Sequence, residues 1–244
     1  VAEAVALTRA LQPDPFRTIT DASLFEGRAD VDLELVDADV RGLNREERIR
    51  LCQEQNSAIE GMDKLISATS GCSDGHSISA AVSSNGFEGT KEETYLWIGS
   101  TVTLQDEGDR KPEGWMWGGA ANKADLPSPE EIAKLAMTRA QRQLGSAKGP
   151  TSKTSMIIDP SAAGQMVARL LGPANGRSIQ QGQSFWLDKL GEKMVSDKLV
   201  VIDNPLLKRG LASRLYDGEG IAAKEMPLIA DGALQNYYLD TYYA

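Results

Sequence analysis

Residues 77–117, SISAAVSSNGFEGTKEETYLWIGSTVTLQDEGDRKPEGWMW, read as an antiparallel meander. Ile78, Ala80 and Val82 alternate with Ser77, Ser79, Ala81 and Ser83, the two-residue period of a half-buried strand. Asn85-Gly86 is a turn signal. The next strand takes clean shape from Thr94, where Leu96, Ile98, Val102 and Leu104 alternate with Tyr95, Trp97, Thr101 and Thr103. Asp106–Asp109 breaks the pattern and Trp115-Met116-Trp117 resumes it. One face is aliphatic and the other aromatic and polar. Such a sheet packs on one side only, or carries a groove on the other.

Helices flank this meander. Ser128-Pro129-Glu130-Glu131 combines a Ser cap, Pro at the first helical position and Glu three residues after the cap. The helix it opens buries Ile132, Leu135, Ala136, Ala140 and Leu144, and Gly145 stops it. Upstream, Val1, Ala4, Val5, Leu7 and Leu11 have helical spacing over residues 1–12, ended by Pro13-Asp14-Pro15. Val31, Leu33 and Leu35 alternate like a short strand. Asn44 and Glu47 form a capping box for a helix over 45–60, with Ile49, Cys52, Ile59 and Met62 inward.

Residues 145–153, GSAKGPTSK, are the most linker-like stretch. They divide the chain into an N-terminal α/β portion with the meander, 1–147, and a second portion, 148–244. The second reads as a strand (155–158), a helix (161–171), a Gly/Gln/Ser-rich stretch (172–184) and a helix (185–194). A strand (199–202), a loop at Asp217-Gly218-Glu219-Gly220 and a strand over 237–242 follow. The expected class is α+β, with mixed or antiparallel sheets flanked by helices. A helix that starts at the first residue without a cap suggests a piece of a larger two-part fold.

Composition narrows the function. Of 244 residues, 41% are hydrophobic and 25% charged, which excludes a disordered chain. No apolar run could cross a bilayer, and no leader pattern opens the sequence. Lys and Arg number 26 against 35 Asp and Glu, and a net charge of -9 argues against nucleic-acid binding. Cys52 and Cys72 fit a reduced, cytoplasmic setting, with one disulfide as the alternative.

The chemical inventory is short. His76 is the one histidine, in a Gly/Ser/Asp-rich stretch read as a turn. Cys72 and His76 supply two donors where zinc wants three or four. Gly182-Gln183-Ser184-Phe185 lacks the second glycine of a nucleophile elbow, and Gly218-x-Gly220 lacks the ending of a phosphate loop. Asp217 and Glu219 either hold two separated pKa values for acid–base work or accept hydrogen bonds from loop amides. Trp97, Trp115 and Trp117 either line an aromatic ligand face or cover the sheet.

The second half also carries an ordered series of short motifs: Ser184-Phe185, Leu190-Gly191-Glu192-Lys193, Asp203-Asn204-Pro205, Asp217-Gly218-Glu219-Gly220 and Leu228-Ile229-x-Asp231-Gly232-x-Leu234. In this order the chain resembles the TldD/PmbA family, described as modulators of DNA gyrase and as the two-subunit TldD/TldE metalloprotease. Asp14-Pro15, Asn85-Gly86-Phe87 and the helix of 128–144 extend the resemblance upstream. Family members are considerably longer, which makes this chain resemble a middle section.

TldD-type subunits carry H-E-x-x-x-H on the helix that corresponds to 161–171. In that register this sequence has Ala168, Arg169 and Pro173. The resemblance therefore implies a PmbA/TldE-type subunit with no metal ligands and no cofactor of its own, zinc belonging to a TldD-like partner. It implies a cytoplasmic protein, in a homodimer or with that zinc-bearing subunit, enclosing unfolded peptide for peptide maturation or antitoxin turnover. The loop Asp217, Gly218, Glu219, Gly220 is the candidate peptide-binding element. The gyrase link requires no DNA contact. The alternatives are a stand-alone hydrolase using Asp217/Glu219 or a Ser-Lys pair, and a peptide- or glycan-binding module using the Trp face.

Overall fold

The computed structural model describes residues 2–12 and 14–244. It is an α+β structure with two three-stranded antiparallel sheets. The meander is β1 (Leu65–Val82), β2 (Glu88–Leu104) and β3 (Glu113–Ala120), in that spatial order. β1 begins twelve residues before the alternation starts at Ser77, so Gly71–His76 is strand and not turn. Its Gly and Ser residues are poor strand formers alone. They are recruited by a ladder that pairs Thr69 with Thr101, Gly71 with Gly99 and Gly75 with Tyr95.

Helices cover the aliphatic face. α1 (Ala2–Ala10) precedes them, with all its described side chains exposed; Val1 and Pro13 lie outside the described residues. α2 (Ala38–Arg41) and α3 (Arg45–Ser57) follow. Asn44 caps α3 by accepting from the Glu47 N–H at 2.9 Å, but the Glu47 carboxylate turns to Arg50 and Lys123 instead of closing the box. α3 buries Leu51 and Gln55, while Ile49 and Met62 are exposed and Cys52 is half-buried. Ile59 is buried, as its spacing predicts.

α4 (Pro129–Gln141) has the full Ser128/Glu131 capping box. Ile132, Ala136 and Ala140 are buried as expected, joined by Ala133 and Met137, whereas Leu135 faces out. The helix lies so close to β3 that a Cβ on Gly114 would come within 2.2 Å of the Ala136 carbonyl oxygen. Val102, Leu104 and Ile59 meet its small residues in one core cluster, and Leu96, Ile98, Val40, Leu43 and Leu51 meet Ile132 in another. The helix ends at Gln141 and not at Gly145, which lies four residues on in a turn, has φ +66° and donates its N–H to Asp106.

The stretch 146–159 has no helix or strand, so the strand expected at 155–158 does not form. α5 (Pro160–Leu171), capped by Asp159, and α6 (Gly176–Gln180) come next. The helix expected at 185–194 is a series of turns. Trp186, in those turns, centres a third core with Ala174, Ile229 and Leu234. The second sheet is β4 (Val201–Asp203), β5 (Met226–Ala230) and β6 (Ala233–Leu234). The alternation at 237–242 finds no partner strand; only Tyr238 makes a single bridge, to Asn175. Among the described residues no helix is long and apolar enough to cross a membrane.

Candidate functional site

The Asp217–Gly220 loop is a tight turn closed by a bridge between Tyr216 and Ala222. Asp217 Oδ1 accepts from the Glu219 and Ile221 N–H groups at 2.9 and 3.0 Å. Glu219 accepts from the Thr241 N–H at 3.0 Å and its hydroxyl at 2.5 Å. Both carboxylates thus hold backbone in place. Gly220, at φ +85°, lies under the Phe87 ring. The loop therefore docks the β1–β2 hairpin onto the second half of the chain.

Cys72 and His76 lie four residues apart in β1, about 13 Å along an extended chain, so they do not share a metal site. His76 Nε2 is 2.8 Å from Glu92, and Arg48 holds Asp74 at 2.7 Å. Both cysteines are free thiols. Burial, with the neighbouring Cys52 and Asp74, pushes the Cys72 thiol up to about 11, which leaves it protonated at neutral pH.

α5 presents the positions at which the family resemblance puts metal ligands. Ala168 and Arg169 are exposed and Pro173 follows the helix. A methyl, a guanidinium and a pyrrolidine ring offer no lone pair to zinc, so these residues do not fit the ion. Among the described residues no group of three His, Cys, Asp or Glu side chains is placed to hold a metal.

The open face of the meander is an aromatic floor laid on glycines. A Cβ on Gly99 would stand 2.1 Å from the Trp117 indole, one on Gly119 2.2 Å from Trp97, and one on Gly75 2.5 Å from the Tyr95 ring. The rings cross the neighbouring strands and lie flat on their backbone. Together with Trp115, under the Arg139 guanidinium, they remain 38–54% exposed. Period-2 alternation predicts the shared face; the glycines that let the rings lie flat become legible only with the register.

A second feature has no counterpart in the sequence reading. A cleft of about 470 Å³ opens between residues 31–36, Thr90–Glu92 and a wall of Arg209 with Arg214–Tyr216. Residues 31–35 alternate as a strand would but join no sheet. This segment is bonded at separate points instead: the Leu35 carbonyl accepts from Thr94 N–H at 2.8 Å, and the Leu33 carbonyl from Arg209 N–H at 2.7 Å. Glu34 (φ +53°) and Arg209 (φ +58°) both hold left-handed backbone without being glycine. They face each other as an ion pair at 2.9 Å, joined by Lys208 at 2.5 Å. The hydrogen bonds from Lys208 and Arg209 hold the Glu34 carboxyl below its ordinary range.

Residues 38–144 match a family model described as the PmbA/TldA metallopeptidase central domain, and residues 151–244 match its C-terminal domain. The chain belongs to the PmbA/TldD family. Metalloprotease PmbA of Escherichia coli O157:H7 is 29% identical over the whole of this chain and 54% of its own length. A Bacteroides thetaiotaomicron structure described as a modulator of DNA gyrase superposes with a TM-score of 0.92 at 31% identity. That match covers 99% of this chain and 55% of the other. TldE of Thermococcus kodakarensis, at 17% identity, shares the fold alone, with a TM-score of 0.74 over 99% of this chain and 54% of its own. The chain spans about half the length of the PmbA/TldD relatives it matches.

Proposed function

We propose that this chain is the PmbA/TldE-type, non-metal part of a TldD/TldE-type peptidase assembly. It helps to enclose and bind unfolded peptide, in peptide maturation or antitoxin turnover, while a zinc-bearing TldD-like subunit supplies the cutting centre. The setting is the cytoplasm, and the assembly is a heterodimer with that subunit or a homodimer. The observation that carries this reading is the residue set at the end of α5 and just after it: Ala168, Arg169 and Pro173 where a zinc-binding relative needs His, Glu and His.

The carboxylate form of a stand-alone hydrolase is disfavoured because Asp217 and Glu219 are committed to backbone amides and to Thr241. The aromatic floor favours a second reading, a peptide- or glycan-binding module, since its exposed π faces are free to stack on a planar group.

The test is metal analysis with oligomeric mass, then peptide cleavage by a zinc-bearing partner with and without this chain. We expect no stoichiometric zinc and cleavage that depends on the chain. One equivalent of zinc per chain, or cleavage unchanged without it, overturns the proposal. Tryptophan quenching by a glycan but not by peptide selects the second reading.

A further inference from the structure

The cleft beside β2 contains unpaired strand backbone. β3 pairs with β2 only from Leu96 to Thr103, so the outer edge of β2 is bare between Glu88 and Thr94. Thr94 donates its N–H outward, to Leu35. Backbone groups alternate in direction along an antiparallel strand, so Glu92, Thr90 and Glu88 face the same way. The Glu88 carbonyl takes the Arg28 guanidinium at 3.2 Å. Thr90 and Glu92 line the cleft, and among the described residues nothing donates to their carbonyls or accepts from their N–H groups.

The opposite side is the segment from Arg28 to Leu35. It runs beside β2, tied at one end through Arg28 to Glu88 and at the other through Leu35 to Thr94. Between the two ties it stands away from β2 and leaves the cleft. The ties are six residues apart along β2, about 20 Å of extended chain. The segment is held away by its bond to Arg209 and by the paired left-handed residues Glu34 and Arg209. Strained backbone of this kind persists where the surroundings impose it, and it concentrates at binding sites.

We propose that this cleft is a peptide-binding slot, in which a short extended segment of unfolded polypeptide adds to the free edge of β2 through the N–H and C=O groups of Thr90 and Glu92. The inference rests on the peptide-binding reading above and gives it a location. Main-chain pairing reads backbone and tolerates varied side chains, which suits an unfolded substrate. Most charged groups of the slot are already matched: Glu34 with Lys208 and Arg209, Lys91 with Glu93, Glu92 with His76 and Arg41, and Arg214 with Asp203. This leaves Asp32 as the one lining charge without an ion-pair partner among the described residues, so the slot sets no strong demand on peptide charge. The length between the ties selects a short extended segment over a folded strand from a second copy.

The experiment uses the full chain and a fluorescein-labelled, end-blocked hexapeptide of alternating Thr and Val, read by fluorescence anisotropy. Its fully N-methylated counterpart keeps the side chains and cannot donate hydrogen bonds. We expect at least tenfold weaker binding of the methylated peptide, and at least tenfold weaker binding of the unmodified peptide to Thr90→Pro. Proline there removes an N–H that β1 does not use, and edge strands tolerate it. If Thr90→Pro fails to fold, hydrogen exchange on the unaltered chain decides: the Thr90 and Glu92 amides gain protection when the hexapeptide binds. Binding that is indifferent to N-methylation and leaves those amides unprotected overturns the slot while sparing the peptide-binding reading. A change of oligomeric mass in Thr90→Pro with peptide binding intact gives the edge to a second copy and also overturns it. No binding of the hexapeptide overturns the slot and the reading together.

Discussion

Phe87 packs where a side chain of Gly220 would be: a Cβ on Gly220 would lie 2.5 Å from the Phe87 ring. Phe87 is buried, edge-on to Phe25 and to Tyr216, with the Arg28 guanidinium 5.0 Å from its ring centre. One aromatic side chain at a hairpin turn thus locks the meander to a loop more than a hundred residues later. The turn signal Asn85-Gly86 and the Asp-Gly-Glu-Gly motif are the two sides of one contact.

Gly220→Ala should therefore cost about 2–3 kcal/mol, combining overpacking against Phe87 with a left-handed backbone position. Gly218→Ala is the control, because nothing lies within 4 Å of its added methyl. It should stay within about 0.5 kcal/mol of the parent. Chemical denaturation of the two variants checks both; equal stability would dismiss the Phe87–Gly220 contact as a structural tie.

Thr94 ties off one end of the cleft through its N–H bond to Leu35. Its hydroxyl accepts from the Asp37 N–H at 2.9 Å and donates to the Ala121 carbonyl at 2.8 Å, in a buried setting. Thr94→Val keeps the shape and leaves both groups unpaired, so it should destabilise by about 1–3 kcal/mol. Thr94→Ser restores the hydroxyl and should recover most of the loss. Urea midpoints for the pair provide the measurement.

Trp186 carries the third core. It is fully buried, its indole N–H donates to the Leu170 carbonyl at 2.7 Å, and its own carbonyl accepts from the Tyr237 hydroxyl at 2.8 Å. Trp186→Ala should cost about 3–5 kcal/mol. It should also release α5 to proteolysis before the meander, since that helix has no fully buried residue of its own. Limited digestion with mass mapping would show cleavage near 160–171 first; cleavage starting in β2 would be the contrary result.

Glu47 predicts an acid limb. Hydrogen bonds from Arg50 and Lys123 lower its pKa from 4.5 to about 2. The folded value lies below the unfolded one, so this contribution to stability is full above pH 4.5 and is lost as pH falls toward about 2. Glu47→Gln should flatten that part of the stability–pH curve and leave neutral pH less stable than the parent. Denaturation midpoints between pH 2 and 6 test it; parallel curves for the two proteins would contradict the assignment.

What the sequence read correctly was local. The Ser128/Glu131 cap and Pro129 at the first turn lie within one helix and need no partner, whereas the helix ends at Gln141, four residues before the expected stop at Gly145. The alternation around Leu96 and Ile98 marks a buried face because the period belongs to the strand itself. The same signal misled at 31–35 and 237–242, where alternation is present and no neighbouring strand completes a sheet, and the short apolar run Met156–Ile158 misled in the same way. In the other direction, Gly71–His76 lacks any strand propensity and is strand because β2 lies beside it.

The motif residues were visible from the start, but their work was not. Asp217 and Glu219 look like a pair of titrating acids along the chain, and in the fold both are occupied by amides from the loop and from Thr241. The cleft beside β2 left no trace in the sequence at all, since its sides come from residues near 33, 91 and 212. Sequence alone determined the capped helix starts at Asn44 and Ser128 and the strand period around Leu96, because each depends on residue type and near neighbours. Only the tertiary structure decided which backbone edges were left unpaired, because hydrogen bonding between strands is settled by segments distant in the chain meeting in space.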